Sequence, residues 1–555
     1  MRSRRLVISV AVIAATAGLV PGMAHAADPV APVAPAAQGV AAPAVDLGKA
    51  AASNFKTFKS PAERSVRKGL PGGKAGAAAS QADGNPGLAL VLNAASTSAH
   101  ALDLETTVIS ADSTLKVTVD WGDGNTDGMD AYGSTVLKSS HTYAELGEYQ
   151  VKVTVTDPAN QAEVVNEFSA MTAGSDFVPY APTRLLDTRD GTGAVKGKVA
   201  PLGSTRVKVA GNGAIPAGVT AVVLNLTVTN ATSAGHITAF AEEAERPTTS
   251  NVNYEAGQTV PNLAIVPVKN GYVELANRGS ESVDLIADVT GYFTRTQASG
   301  YTPMTPARFV DTREGLGANR GQLGGRQAFS TQIGGLRGVP QGVTAVALNV
   351  TVTNPKEAGH LSVFPSGGAT PTASNLNFTP GQTIANSVIV PVGADGRISV
   401  FNGAWAGTDV IVDVVGYYST DSKASYMPIK PGRMIDTRDP RWPHGPLRAR
   451  SYIYNGISPD EVGIDGYVLN ATVTNTTGTG FLSVAPDPNS LQQYKDKTAV
   501  FPERPGASTL NWTAGKTVPN LVQASSGKNG IVDYWNQGWE DVDLVVDIFG
   551  YYESK

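Results

Sequence analysis

The sequence contains no cysteine among its 555 residues. This absence excludes disulfide bonds, thiolate metal ligands and cysteine nucleophiles together. It does not argue against export, because many exported bacterial domains fold without disulfides. Charged residues are also scarce, at 16%, and the formal net charge is -5. A chain without a basic field is a poor partner for nucleic acid and has no electrostatic attraction to anionic lipid.

Several catalytic motifs are missing as well. The chain has no H-E-x-x-H zinc motif, no P-loop, no dinucleotide fingerprint and no nucleophile elbow. His236 and His360 occupy the same place in two related segments described below, whereas the third segment has Phe481 there. A general base cannot be exchanged for phenylalanine. We therefore expect a protein that is not an enzyme, with no catalytic residue, cofactor or metal site.

The N-terminus has the pattern of an export signal over residues 1–26. Arginines precede an apolar run at residues 6–20, and Ala24 and Ala26 form a small-residue cleavage site. No later run approaches the roughly 20 apolar residues of a transmembrane helix. Residues 27–87 are rich in Ala, Pro, Gly and Ser, so they are predicted to be a disordered spacer. This organisation predicts a secreted, extracellular protein, either free or associated with the cell wall.

Residues 88–174 alternate apolar and polar side chains, for example from Leu115 to Asp120, which predicts β-strands. A W-G-D-G turn begins at Trp121, and an H-x-Y segment begins at His141. On these motifs the segment resembles the polycystic kidney disease (PKD) domain. The resemblance implies an immunoglobulin-like β-sandwich that acts as an extracellular spacer or interaction domain.

Two carboxylates in this segment have two interpretations. Asp123 and Asp127 can supply the hard oxygen ligands that Ca²⁺ prefers. They can also hold the turn through side-chain to backbone hydrogen bonds. The second interpretation is favoured, and no metal site is assigned.

Three related segments follow, at residues 177–295, 301–419 and 426–553. Each opens on an R-x-x-D-T-R motif, contains N-x-T-V-T-N and closes on D-x-x-G-Y, and the openings recur at intervals of 124 and 125 residues. Short strands between regular turn signals, without a helical period, predict an all-β fold with one β-sandwich or jelly-roll-like domain per repeat. Beads on a string are the simplest arrangement, and a threefold arrangement around one axis is the alternative.

This three-repeat block is similar to tandem repeats in secreted and surface proteins of high-GC Gram-positive bacteria. The similarity covers about residues 179–552. It implies a cell-surface setting and no particular activity.

The opening motif can clasp a ligand carboxylate or sugar hydroxyl, or it can form an internal latch that pins the first strand. The latch is favoured because every copy keeps the same residues. Its members are Arg184, Asp187, Arg189, Arg308, Asp311, Arg313, Arg433, Asp436 and Arg438. Their expected buried partners are the closing aspartates Asp288, Asp413 and Asp547. Paired carboxylates also permit glycosidase chemistry, but nothing in the sequence places two of them in one cleft.

Tryptophans distinguish the repeats. Trp405 and Trp539 fall at equivalent loop positions, each three residues after an asparagine, where the first repeat has Ser280. A loop tryptophan is a sugar-stacking platform or rim anchor, or else it packs against the neighbouring repeat. The predicted ligand-binding residues are Trp405, Trp539, Trp535, Asn402 and Asn536.

Three functions are compatible with these features. The favoured one is a secreted, non-catalytic binding or adhesion protein that recognises cell-wall or other glycans through repeat loops, with avidity from several weak sites. The alternatives are a structural surface or assembly subunit with protein–protein contacts, and a divergent glycan hydrolase. Exposed loop tryptophans favour the glycan-binding protein, and tryptophans buried between repeats favour the structural subunit. Facing carboxylates in a Trp-lined cleft favour the hydrolase. Repeat three, with its insertion at residues 492–498, is the best place to look.

Overall fold

The structure is a computed structural model that describes residues 57–70, 85–242, 244–456 and 464–554. The predicted signal at residues 1–26 lies outside this range. The described residues form antiparallel β-sheets, with a single five-residue α-helix. The prediction of an all-β fold built from sandwiches is confirmed. Within the described ranges, no helix is long and apolar enough to cross a bilayer.

Nine strands form the first sandwich: β1 (Thr57–Ser60), β2 (Val66–Gly69), β3 (Ala89–Ser96), β4 (Ala101–Ile109), β5 (Thr114–Asp120), β6 (Thr126–Tyr132), β7 (Thr135–Thr142), β8 (Glu148–Asp157) and β9 (Ala162–Met171). One sheet has the order β1-β3-β4-β7 and the other β2-β9-β8-β5-β6. Strand β5 buries every second residue, as its alternating sequence predicts. The core between the sheets includes Trp121 and Tyr143, both fully buried.

The predicted disordered spacer at residues 27–87 is wrong for its middle part. Strand β1 pairs with β3, and β2 pairs with β9, so this segment adds one strand to each sheet of the first sandwich. Phe58 anchors it, because its ring is buried and stacks on Phe168 at 5.6 Å between centroids. Residues 27–56 and 71–84 lie outside the described residues.

Each repeat contains eight strands. Repeat one comprises β10 (Asp176–Asp187), β11 (Ser204–Lys208), β12 (Ala221–Thr229), β13 (Gly235–Ala241), β14 (Val252–Tyr254), β15 (Val260–Pro267), β16 (Tyr272–Asn277) and β17 (Asp284–Thr294). Repeat two comprises β18 (Gly300–Asp311), β19 (Ala328–Gln332), β20 (Ala345–Thr353), β21 (Gly359–Pro365), β22 (Leu376–Phe378), β23 (Ile384–Pro391), β24 (Arg397–Asn402) and β25 (Asp409–Ser419). Repeat three comprises β26 (Ser425–Asp436), β27 (Tyr452–Gly456), β28 (Ile464–Thr474), β29 (Gly480–Pro486), β30 (Leu510–Trp512), β31 (Val518–Ser525), β32 (Ile531–Asn536) and β33 (Asp543–Glu553).

The repeats share one topology of two four-stranded antiparallel sheets. In repeat one, the inner sheet has the order β10-β17-β12-β15 and the outer sheet β11-β16-β13-β14, and the equivalent strands of the other repeats follow the same orders. The insertion of repeat three forms helix α1 (Leu491–Lys495), which follows strand β29 of the outer sheet. Ser490 caps it in a capping box with Gln493.

The inner strands are buried on both faces, which is unusual for an antiparallel sandwich. All nine residues of β12 are buried. Leu224 and Leu226 point into the core of their own sandwich, whereas Ala221 and Val223 join a cluster shared by all three repeats. This axial cluster consists of Phe177, Ala221, Val223, Leu263, Ile265, Phe293, Tyr301, Ala345, Ala347, Ile389, Tyr418, Ala424, Tyr426, Val468, Leu521, Phe549 and Tyr552.

Main-chain hydrogen bonds close the repeats into a ring. The first strand of each repeat donates one N–H, at 2.8 Å, to the carbonyl of a residue just before the start of another repeat. The three bonds run from Phe177 to Ser299, from Tyr301 to Ala424, and from Tyr426 to Ser175. The last of these bonds returns from repeat three to repeat one. The expected beads on a string are therefore wrong, because the apolar outer faces of the inner sheets bury one another around one axis.

A buried asparagine of the N-x-T-V-T-N motif crosses each joint of the ring. The Asn225 side chain donates to the Ser374 carbonyl at 2.6 Å and accepts from Asn386 at 3.2 Å. The same pair of bonds links Asn349 to Ser508 and Asn520, and Asn470 to Ser250 and Asn262. These amides satisfy one another inside the interface and set its register.

The first sandwich is docked on the ring. The His100 imidazole lies 3.1 Å from the Asp176 carboxylate, at the start of repeat one, and Ser425 of repeat three donates to the same carboxylate at 2.6 Å. The Leu146 N–H donates to the Arg295 carbonyl at 2.9 Å. The sandwich therefore contacts the ring through both buried polar groups and backbone.

We predict that Asn470→Ala lowers the free energy of unfolding of the ring by about 1–3 kcal/mol, because the buried Ser250 carbonyl loses its side-chain donor and the Asn262 amide loses one of its two acceptors. Asn225→Ala and Asn349→Ala are the matched variants at the other joints and should cost a similar amount in denaturant unfolding. An Asn470→Ala protein as stable as the wild type would contradict ring closure, since only a closed ring has this third joint.

Candidate functional site

The opening motif of repeat one forms a buried ion-pair network. Arg184 donates to Asp288 from Nε at 2.9 Å and to Asp187 from Nη1 at 2.9 Å. Arg189 donates to Asp187 from Nε at 2.9 Å and from Nη2 at 2.6 Å. The Arg189 guanidinium holds the pKa of Asp187 below its ordinary value despite burial. The network joins the end of β10 to β17, which fixes the first strand of the repeat.

The other two repeats contain the same network. Arg308 donates to Asp413 at 2.9 Å, and Arg433 pairs with Asp547. The aspartate of each opening motif accepts from both arginines, as in repeat one: Asp311 from Arg308 and Arg313, and Asp436 from Arg433 and Arg438. The carboxylates are satisfied within the repeat, so the arrangement matches an internal latch and offers no cleft with facing free carboxylates.

The W-G-D-G turn is held by its own side chains. Asp123 accepts from the Asn125 N–H at 3.0 Å and lies 2.8 Å from the His141 imidazole. Trp121 donates from Nε1 to Asp127 at 3.0 Å, and its ring stacks on His141 at 5.0 Å. Both aspartates therefore have protein partners, which is the geometry of the hydrogen-bonded turn.

The two loop tryptophans are exposed. Trp405 retains 81% of its accessible surface and Trp539 retains 76%. An arginine lies against each ring: the guanidinium of Arg326 is 5.3 Å from the Trp405 centroid, and that of Arg450 is 4.8 Å from the Trp539 centroid. Each arginine also donates to a loop carbonyl. Arg326 donates to the Gly403 carbonyl at 3.2 Å, and Arg450 donates to the Gln537 carbonyl at 2.9 Å. The loops thus present two equivalent aromatic platforms with a cation at one face.

These arginines were not predicted as site residues. Arg326 and Arg450 both adopt positive φ, at 58° and 56°, at a position two residues before the first outer strand. Leu202 takes this position in repeat one, with φ 55°. Comparison of the three repeats could have found these arginines, because the two repeats that have a loop tryptophan also have an arginine at this position.

The prediction that Asn402 and Asn536 contact a ligand is wrong, because both side chains are fully buried. Asn402 donates to the Ala406 carbonyl at 2.9 Å and accepts from the Ala404 N–H at 3.0 Å. Asn536 makes the equivalent bonds to Glu540 and Gly538. The asparagines therefore shape the loops that carry the tryptophans.

The prediction of Trp535 as a ligand contact is also wrong. Its ring is fully buried and stacks on Tyr452 at 4.5 Å. Phe501 covers it edge-on at 5.6 Å, and Tyr494 of helix α1 stacks on Tyr454 at 3.8 Å. The insertion of repeat three thus covers aromatic residues of the outer sheet that would otherwise face water.

A buried carboxyl pair lies beneath this cover. Asp533 of β32 lies near Asp487, which accepts from Tyr494 Oη at 2.5 Å and from the Asn489 backbone N–H at 2.6 Å. Burial, followed by the nearby Asp487 carboxyl group, raises the pKa of Asp533 to about 10. Asp533 therefore keeps its proton at neutral pH. Two carboxyl groups buried under aromatic side chains, one of them protonated, do not resemble an open hydrolytic cleft.

The histidines of the first two repeats lie in partly enclosed strand positions. Burial lowers the pKa of His236 and of His360, so both are neutral at pH 7. Phe481 pairs with Asn511 in the same register as His236 with Asn253. The position accepts either ring type, in agreement with a packing role.

Residues 86–172 match the family model of the PKD domain. The resemblance based on the W-G-D-G turn and the H-x-Y segment is confirmed for this part of the chain. No curated protein matches the sequence.

Solved structures show only weak similarity. A SusE-like protein matches at 8% identity with a TM-score of 0.12, over 36% of this chain and 96% of its own. The atomic structure of Sulfolobus Turreted Icosahedral Virus matches at 10% identity and a TM-score of 0.14, over 68% and 91%. PNGF-II matches at 8% identity and a TM-score of 0.13, over 80% and 99%. TM-scores this low support no inference about shared fold or function.

We predict that Asp187→Asn destabilises the ring by about 1.5–3 kcal/mol at pH 7, because two guanidinium groups lose a buried carboxylate. The pKa of Asp187 is lowered in the folded state, so its contribution is present above about pH 4 and is lost as the pH falls further. The difference in stability between variant and wild type should therefore shrink as the pH falls below about 4. The control is Asp103→Asn on the exposed face of β4; an equal loss in both variants would contradict the latch.

We predict the opposite pH dependence for Asp533. Its raised folded pKa means that the native state binds a proton that the unfolded state releases, so stability falls as the pH rises from about 4 toward 10. Asp533→Asn removes this loss and keeps a donor toward Asp487. The variant should match the wild-type Tm near pH 4 and exceed it at pH 8, whereas the exposed control Asp421→Asn should not. Parallel profiles between pH 5 and 9 would contradict a protonated Asp533 in the folded state.

Proposed function

We propose that the chain is an extracellular, non-catalytic binding protein that recognises glycans through the Trp405 and Trp539 platforms. The observation that carries the proposal is the exposure of these two rings on hydrogen-bonded loops at equivalent places in two repeats. An indole face offers a flat apolar surface for a sugar ring, and the adjacent arginine supplies donors for hydroxyl groups. Both features suit a saccharide better than an apolar small molecule.

The ring adds a geometric argument. Because repeats two and three share the axial cluster and the Asn349 joint, the separation of the two platforms is set by the fold. Two weak sites at a fixed spacing bind a repetitive polymer with avidity. A cell-wall or other polysaccharide is such a polymer, and the docked PKD domain serves as a spacer. The N-terminal signal pattern supports the extracellular location.

The non-catalytic part of the proposal rests on the carboxylates. Glycosidases need two carboxyl groups, about 5–10 Å apart, flanking an open sugar site. In the described residues, the latch carboxylates are engaged by arginines, and Asp487 and Asp533 are both buried. A structural subunit that uses the tryptophans for protein contacts is the remaining alternative.

We predict that Trp405→Ala and Trp539→Ala each weaken binding of the full chain to an insoluble polysaccharide by at least about tenfold, and that the double variant does not bind. Pull-down with peptidoglycan, chitin and cellulose measures this, with reducing-end release assayed in the same tubes. Tyr132→Ala is the matched control, since this ring is 65% exposed on the PKD domain.

Two results would contradict the proposal. Undiminished binding by the double variant would exclude the tryptophans, and absence of binding to every polysaccharide would favour the structural alternative. Release of reducing ends would overturn the non-catalytic assignment.

A further inference from the structure

The platform of repeat three has a second arginine. Arg504 donates from Nη2 to the Arg450 carbonyl at 3.4 Å, and its guanidinium lies 5.8 Å from the Trp535 centroid. Arg450 in turn stacks on Trp539. We call Trp539, Arg450 and Arg504 the third-repeat platform. Phe501, which is half exposed, borders it on the side of Trp535.

The two arginines of this platform have no ion-pair partner in the described part of the chain. Among the residues that the structure describes, no carboxylate forms an ion pair with Arg450 or Arg504. Partial burial, followed by the nearby Arg450 charge, lowers the pKa of Arg504. Two adjacent cations without a counter-charge repel each other, and an anion placed between them relieves that repulsion.

In repeat one, the position of Arg504 is taken by an arginine that has a carboxylate partner within the protein. Arg246 is the equivalent of Arg504, since both stand in an E-R-P-x-x-S stretch. Arg246 lies 3.9 Å from the Glu274 carboxylate, and Glu274 is the strand equivalent of Asp533. In repeat three the equivalent Asp533 keeps its proton and forms no ion pair with Arg504, whereas Arg246 retains its carboxylate partner.

Neither of the other repeats combines the three features. Repeat one has Leu202 in place of Arg450 and Ser280 in place of Trp539. Repeat two has its tryptophan and one arginine, but Thr370 takes the place of Arg504. The exposed indole and the two unpaired guanidinium groups therefore coincide in repeat three alone.

We infer that the third-repeat platform binds an acidic saccharide, with the sugar ring on Trp539 and its anionic group held by Arg450 and Arg504. The guanidinium groups recognise a carboxylate or phosphate through charge-assisted hydrogen bonds, which are stronger than bonds to hydroxyl groups. The inference rests on the proposed glycan recognition and narrows it to a chemical class. The platform of repeat two, which has one arginine, then binds a neutral part of the same polymer.

The test uses the full chain and two matched probes, an oligogalacturonate and its methyl ester, which differ only in the charge of the carboxyl group. Isothermal titration should give at least about tenfold tighter binding of the acid. Arg504→Thr and Arg450→Leu introduce the residues that repeats two and one already tolerate, and each should reduce the preference for the acid toward unity. Glucose 6-phosphate, titrated beside galacturonate, shows which anion the platform prefers.

Arg246→Thr is the matched control, because it makes the same change at an arginine that already has a carboxylate, and it should leave the preference intact. Equal affinity for the acid and the ester would overturn the acidic class while leaving glycan recognition standing. A preference that survives both Arg504→Thr and Arg450→Leu would overturn the assignment to this platform. Failure of both probes, together with all insoluble polysaccharides, would remove the proposed function as well. Thermal unfolding of each variant verifies that the ring is intact.

Discussion

The structure depends on the burial of both faces of the inner sheets. A β-sandwich normally needs one apolar face per sheet, but the inner sheet of each repeat has two. The second face can be removed from water only against other inner sheets, and the three copies do this around one axis. At roughly 25 cal/mol for each Å² of apolar surface, such burial is a dominant stabilising contribution. The crossing asparagines add register to an interface whose apolar contacts are not directional.

The ring separates what must be constant from what can vary. The latch and the joint asparagines recur in every repeat and use their hydrogen-bonding capacity inside the protein. The loops at the outer sheets contain neither the latch nor the joint asparagines, so their sequences can differ between copies. There, repeats two and three hold an indole out to solvent while a buried asparagine shapes the loop behind it. Rigid support and exposed aromatic surface are the combination that a preorganised binding site requires.

The β-strands and the three repeats could be predicted from the sequence, since period-2 alternation and turn residues locate strands directly. The strands at residues 57–69 were missed because an average over residues 27–87 hides a short segment with one anchoring ring, Phe58. The ring was ranked second to beads on a string because Val223 and Leu224 are equally apolar, although they face different cores. Asn402, Asn536 and Trp535 were misplaced because spacing does not tell an inward side chain from an outward one. Arg450 and Arg504 meet only in three dimensions.

The central claim is that the three repeats form one cooperative unit, on which the fixed spacing of the two platforms depends. Differential scanning calorimetry of the full chain tests it most directly, by comparing the calorimetric and van't Hoff enthalpies of the repeat block. The account predicts a single transition for the whole block, with the two enthalpies equal and near 0.7 kcal/mol per residue, apart from any separate transition of the PKD domain. Three resolved transitions, or a van't Hoff enthalpy about one third of the calorimetric value, would contradict it.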